Sequence, residues 1–145
     1  MDYQELASEL LNSMYSLRRT GFEKGIAEFL HGEAAALHHI AFCSGEALPS
    51  GIRRKLGVSS ARTAQVLNNA ESKGWITRQI DQRDRRRVLI ELTPKGRAIA
   101  EKHRREVVGL AAKMLSVLEE HDAREYVRIT GKLAEITAGT TAGLP

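Results

Sequence analysis

At 145 residues, 28% charged and 42% hydrophobic, the chain is one domain's worth of globular protein and too apolar for a disordered one. No apolar run nears the roughly 18–20 residues of a membrane span, and a single cysteine, Cys43, excludes a disulfide framework or a multi-cysteine zinc cluster. The net charge of +4 hides a cationic middle: Arg53 to Arg105 carries 15 Lys/Arg against 5 Asp/Glu, a net of +10, between flanks that sum to −6, which points to a nucleic-acid or anionic-membrane surface.

In chain order, Tyr3 to about Arg19 is the first predicted helix, with Leu6, Leu10, Met14 and Leu17 on one stripe. Its opening residues, MDYQELASEL, lack the basic start and apolar stretch of an export signal, so a cytoplasmic protein is expected. Thr20 to Gly32, with three glycines, reads as a connection with at most a short helical turn. The alanine-rich run Glu33 to Cys43 is helical by propensity, with Leu37, Ile40 and Ala41 as core candidates. SGEALPSG then interrupts it through Gly45, Pro49 and Gly51.

Ile52 and Leu56 lie four apart on a short helix stopped by Gly57. Ser59 is placed to cap a second helix, whose inner face carries Val66, Leu67 and Ala70 and which ends near Gly74, with Trp75 and Ile76 following as buried anchors. Two short helices joined by a glycine-containing turn make a helix-turn-helix. The period then changes to two: WITRQI and RVLIEL read as strands, with Val88, Ile90 and Leu92 on one face and DQRDRR at the tip between them. Thr93 as cap and Pro94 at the first position open a long helix to about Leu118. Its apolar residues, Val107, Leu110, Ala111, Met114 and Leu118 broadened by Val108, Ala112 and Leu115, exceed one stripe and call for packing beyond the domain itself. Asp122 with Glu125 suggests a capping box for the last helix, on which Tyr126, Ile129, Leu133 and Ile136 share a face, and TAGTTAGLP reads as a frayed tail. The expected fold is mainly α with a small β-hairpin: a winged helix-turn-helix over residues 33–93, preceded by a helix and connection over 1–32 and followed by two helices over 94–145.

Four arginines within five residues at a hairpin tip, beside a helix-turn-helix, are explained by a polyanion and poorly by a solvated loop. A helix in the major groove reads base edges while the adjacent hairpin reaches the minor groove. Ser60, Ala61, Arg62, Gln65 and Asn69 point outward on the second helix: Arg62 suits guanine, Gln65 adenine, Ser60 a base or phosphate, and Ala61 a thymine methyl. Arg53, Arg54 and Lys55 fall near the DNA backbone, and Arg83, Arg85 and Arg87 reach phosphates from the wing.

The run Asp81-Gln82-Arg83-Asp84-Arg85-Arg86, followed by VLIELTPKG, resembles the wing signature D-x-R-D-x-R…LT-x-x-G of the MarR family of bacterial transcription regulators, and LGVS (Leu56 to Ser59) and KGWI (Lys73 to Ile76) are similar to that family's turn and post-recognition-helix signals. The resemblance implies a DNA-binding homodimer, joined through the first and last two helices, that sits on a near-palindromic site and is released by a small-molecule effector. It makes Arg86 the minor-groove arginine; Asp84, two residues earlier, is placed to orient it and to hold the wing tip. It also implies an effector pocket between dimerisation helices and winged-helix core, for which Tyr15, Leu17, His38, Phe42 and Met114 are candidate liners. Arg53, where the family has a small alanine, and Ala70, where it has leucine, depart from the pattern.

Cys43 lies in an apolar helix and reads as a small core residue, whereas relatives with a single sensing cysteine carry it near the start of the first helix. His39 and His103 fall near positions that bind zinc in some relatives, but Val107 stands one turn after His103 and the second ligand is missing. No phosphate-cradling glycine loop, nucleophile triad or carboxylate pair fits the predicted elements, so no enzyme, cofactor or metal is expected. Two readings compete with a specific regulator: a winged-helix protein-interaction module without DNA readout, and a non-specific nucleic-acid binder.

Overall fold

A computed structural model describes residues 1–44 and 46–139. Gly45, and the tail from Thr140 onward, lie outside the described residues. The described residues form seven helices and one antiparallel hairpin.

Asp2 caps α1 (Tyr3–Arg18) by accepting the Gln4 N–H at 2.9 Å, but the helix buries none of its residues. The segment expected as a connection is a ten-residue helix, α2 (Phe22–His31). Its three glycines misled because only two of them punctuate: Gly21, at φ +76°, precedes the helix and Gly32 ends it. Gly25 sits inside, where a Cβ would come within 2.5 Å of the Leu110 side chain, so the missing side chain serves close packing. Phe22, Ile26 and Phe29 form its half-buried stripe.

On α3 (Glu33–Phe42), Ala36, Leu37 and Ile40 are buried, whereas Ala41 is exposed. At about 100° per residue, Ala41 falls a quarter-turn beyond Ile40 and off the stripe, and Ala36 takes its place. Pro49 does not separate elements but occupies the first turn of α4 (Pro49–Leu56). Gly57, left-handed at φ +63°, closes that helix, and the Ser59 hydroxyl accepts the Arg62 N–H at 3.1 Å to open α5 (Ser60–Ser72). Thr63 joins Val66, Leu67 and Ala70 on the buried face of α5. Arg53 points to solvent, so its bulk does not come between α4 and α5.

Gly74, at φ +73°, turns the chain into β1 (Ile76–Ile80), which pairs with β2 (Val88–Leu92) from Ile76↔Leu92 to Ile80↔Val88. A third edge was not predicted: Ala47 bridges Ile90, whose N–H donates to the Ala47 carbonyl at 2.9 Å. On β2 only Ile90 is fully buried; Leu92 is half-buried and Val88 exposed near the tip. Leu37, Ile40, Ile52, Ile76 and Ile90 form the centre of the core, where three helices meet the hairpin. Thr93 then does two things: its hydroxyl donates to the Gly74 carbonyl at 2.6 Å and accepts the Gly96 N–H at 3.0 Å, starting α6 (Pro94–Leu115). These elements, through Leu110, make one compact unit.

The second unit runs from Ala111 and contains the end of α6 and α7 (Glu120–Gly139). The long helix stops three residues before the expected Leu118, as Val117 and Leu118 N–H groups turn back onto Met114 and Leu115 carbonyls. The expected capping box at Asp122 does not form. The Ala123 N–H already bonds the Glu119 carbonyl at 3.0 Å, so Asp122 lies inside the first turn, where its charge complements the helix dipole. Tyr126, Ile129, Leu133 and Ile136 remain 48–60% exposed.

Candidate nucleic-acid interface

The outward face of α5 is what an N-cap at Ser59 and a buried Thr63-Val66-Leu67-Ala70 stripe leave over. Ser60, Ala61, Arg62, Gln65 and Asn69 are all exposed there. The Arg62 guanidinium donates to Gln65 Oε1 at 2.7 Å, so the two side chains suited to base edges are held together before any ligand arrives. Asn69 differs: its amide reaches Glu33 Oε1 at 3.4 Å, away from the other four. Arg53, Arg54 and Lys55 are exposed on α4, and Arg53 lines a shallow groove with Ser50, Ser60 and Arg78.

At the wing tip both aspartates act on the backbone. Asp81 Oδ1 accepts the Arg83 N–H and Asp84 Oδ1 accepts the Arg86 N–H, each at 3.0 Å, giving two successive Asx turns. The Asp81 N–H donates to the Arg87 carbonyl at 2.9 Å and closes the loop. Asp84 therefore holds the tip, and its bond to Arg86 is to the main chain.

The arginines divide into two sets. Arg83 and Arg87 flank Asp81, at 3.5 and 3.9 Å, and Arg83 also meets Glu46 at 3.4 Å. Among the described residues Arg85 and Arg86 form no ion pair, and both are exposed. Asp81 is only 2% exposed, and among the described residues its Oδ2 accepts no hydrogen bond, the Arg87 guanidinium standing 3.9 Å away. The Arg83 N–H, then the two guanidinium charges, hold its carboxyl below the usual carboxylate range against the opposing effect of burial. Arg83 is correspondingly raised, first by Glu46 and then by Asp81.

Two participants escaped the sequence reading. Arg78 donates to Asn68 Oδ1 at 2.6 Å and lies 3.2 Å from Glu71, tying β1 to α5. Strand alternation places it on the face of Ile76, which was a usable signal. Glu46 gave none, because its partner is 37 residues further on.

Of the candidate effector residues, Tyr15, Leu17, His38 and Phe42 belong to the first unit and Met114 to the second. Tyr15, Leu17 and Phe42 are exposed, Phe42 at 85%, and Met114 is half-buried in the second unit. A cavity of about 300 Å³ lies instead between Gly25, Phe29 and Ala34 on one side and His103, Val107 and Leu110 on the other, with Glu28 and Glu106. His38 reaches it only through Phe29, edge to face at 5.5 Å. His103 Nδ1 is buried without a partner among the described residues.

Cys43 packs half-buried against the core with Sγ 3.5 Å from His39 Nε2. Burial, then Lys55 and His38, lower the His39 pKa. Among the described residues no three His, Cys, Asp or Glu side chains are grouped to hold a metal, and no helix is long and apolar enough to cross a membrane.

Residues 30–87, which contain the helix-turn-helix, β1 and the wing tip, match the sequence model of the MarR family. The multiple antibiotic resistance protein MarR of Salmonella typhimurium is 38% identical over 59 residues, a stretch that spans 41% of each chain. YwhA of Bacillus subtilis, described as an uncharacterised HTH-type transcriptional regulator, is 26% identical over 93% of this chain and all of its own. FabT of Streptococcus pneumoniae, crystallised in complex with DNA, has the same fold, with a TM-score of 0.70, 24% identity, and 95% of this chain and 99% of that one covered. The segment of residues 30–87 is thus similar to the MarR family, and the chain as a whole shares the winged helix-turn-helix fold.

Proposed function

We propose that the protein is a sequence-specific, double-stranded DNA-binding transcription regulator that works as a homodimer, represses by occupying a near-palindromic operator, and is released by a small molecule. The observation that carries DNA reading is the pairing of Arg62 with Gln65 on an exposed helix face, beside a wing that leaves Arg85 and Arg86 without ion pairs. Arg62 and Gln65, flanked by Ser60 and Ala61, read bases; Arg86 enters the minor groove; Arg53, Arg54, Lys55 and Arg85 take phosphates. FabT crystallised with DNA supports this reading. The likeness of residues 30–87 to the MarR family supports a non-enzymatic role.

Effector release needs a ligand that favours one spacing of the two DNA-binding heads over the other. The cavity beside His103 is the better candidate for such a ligand than the residues first chosen, since it is already formed.

Selection from a randomised duplex pool tests the reading. An enriched inverted repeat is expected, with half-sites about 10 base pairs apart or a close multiple. Arg62→Ala should cost about 1–3 kcal/mol and relax preference at one position, while Arg86→Ala weakens binding and lowers the salt slope by about one. If enriched and scrambled duplexes bind alike, specific regulation fails; if neither binds, a protein partner becomes the target of the search.

A further inference from the structure

A recognition helix reads bases in a constant register only if its far end is held. On α5 that end carries Asn69 and Lys73, one turn apart, and both reach a single carboxylate on another helix. Glu33, the first residue of α3, accepts from Lys73 Nζ at 2.6 Å on one oxygen and from the Asn69 amide at 3.4 Å on the other. Lys73 is itself fixed: its ammonium stands 4.5 Å from the Trp75 ring centroid, and its carbonyl accepts from Lys95 of α6 at 3.1 Å. Helix dipoles favour the pairing, since the acid opens α3 and the base closes α5.

We infer that Glu33 is a positioning residue for DNA reading, gripping the end of α5 through Lys73 and Asn69 and setting the helix's angle in the groove without touching DNA. The inference rests on α5 being the recognition helix, and it removes Asn69 from the base readers. The side chains of Glu33 and Lys73 are 27% and 46% exposed, and exposed pairs add little to folding stability, so the contact is spent on geometry. Ala34, the next residue, lines the cavity, so the grip stands between an occupant of that cavity and the recognition helix.

Charge and grip predict opposite signs, which makes the test sharp. Glu33→Gln removes a negative charge, and by charge alone it would tighten binding to every duplex. The grip predicts that it weakens the selected site about fivefold, while the scrambled duplex, the salt slope and the melting temperature hardly change. Lys73→Gln should lower the same ratio of selected to scrambled affinity, and the double variant should be no worse than the worse single one, as expected of partners in one contact. An unchanged ratio in Glu33→Gln, a parallel gain on both duplexes, or additive single effects would overturn the grip while the wild type still discriminates. A wild type without sequence preference would overturn the regulator reading, and this inference with it.

Discussion

Asp81 shows how much a single residue in the wing decides. The DQRDRR run reads in the sequence as a tip that seeks a polyanion, because like charges at that density need an explanation. What the sequence left open was which charges stay exposed and which hold the tip, since that depends on a bond to a loop residue, Glu46, far away in the chain. The structure assigns Asp81 to bracing: it is buried, it closes the loop, and Arg83 and Arg87 stand over it. Because its folded-state pKa lies below the unfolded value of about 3.9, the stability it contributes is fully present above that value and is lost as pH falls through the lowered folded one. Asp81→Asn should therefore melt earlier than wild type at neutral pH, and the gap between the two should shrink in acid. Melting curves across pH 2–7 check this; a gap independent of pH would remove the ionised carboxylate from the account.

At the scale of elements, local chemistry was read well where it was sufficient. The Ser59 cap, the Gly57 stop and the Thr93-Pro94 start each depend on residues within one turn, and each is found where expected. The misses share a cause. Gly25 looked like a break because its reason for being glycine, Leu110, is 85 residues away in sequence, and Asp122 looked like a cap because it makes a capping-box pair with Glu125, although the helix opens one step earlier on the Glu119 carbonyl.

A joint between elements gives the corresponding prediction. A Cβ on Gly96 would collide with the Trp75 carbonyl oxygen, which also accepts the Thr93 N–H at 3.0 Å. Gly96→Ala should then part the wing's exit from the end of α5, destabilising the fold by about 1–3 kcal/mol. Urea unfolding measures it, and a midpoint equal to that of wild type would show that the backbone moves aside freely.

For the whole molecule, the division of charge was plain in the sequence, and the cationic middle is where the helix-turn-helix and wing lie. The apolar stripes of the first and last helices were equally plain, but their placement needed the structure: Leu6, Leu10, Met14 and Leu17 stay 41–61% exposed, as does the stripe of α7. Neither face belongs in water over such a length. The proposed homodimer would cover them, so Leu10→Glu should shift sedimentation from two copies toward one and weaken operator binding with it; a wild type that sediments as a single copy would dismiss the dimer.

Those bare stripes on α1 have a thermodynamic consequence. A fold completed by its own twin obeys mass action, and dilution works on it as a denaturant. Its melting temperature would climb with its concentration, and a cell holding only a few copies would hold them partly apart. In the proposed homodimer the amount of the protein would enter its own binding curve twice, once in assembling the reader and once in filling the site.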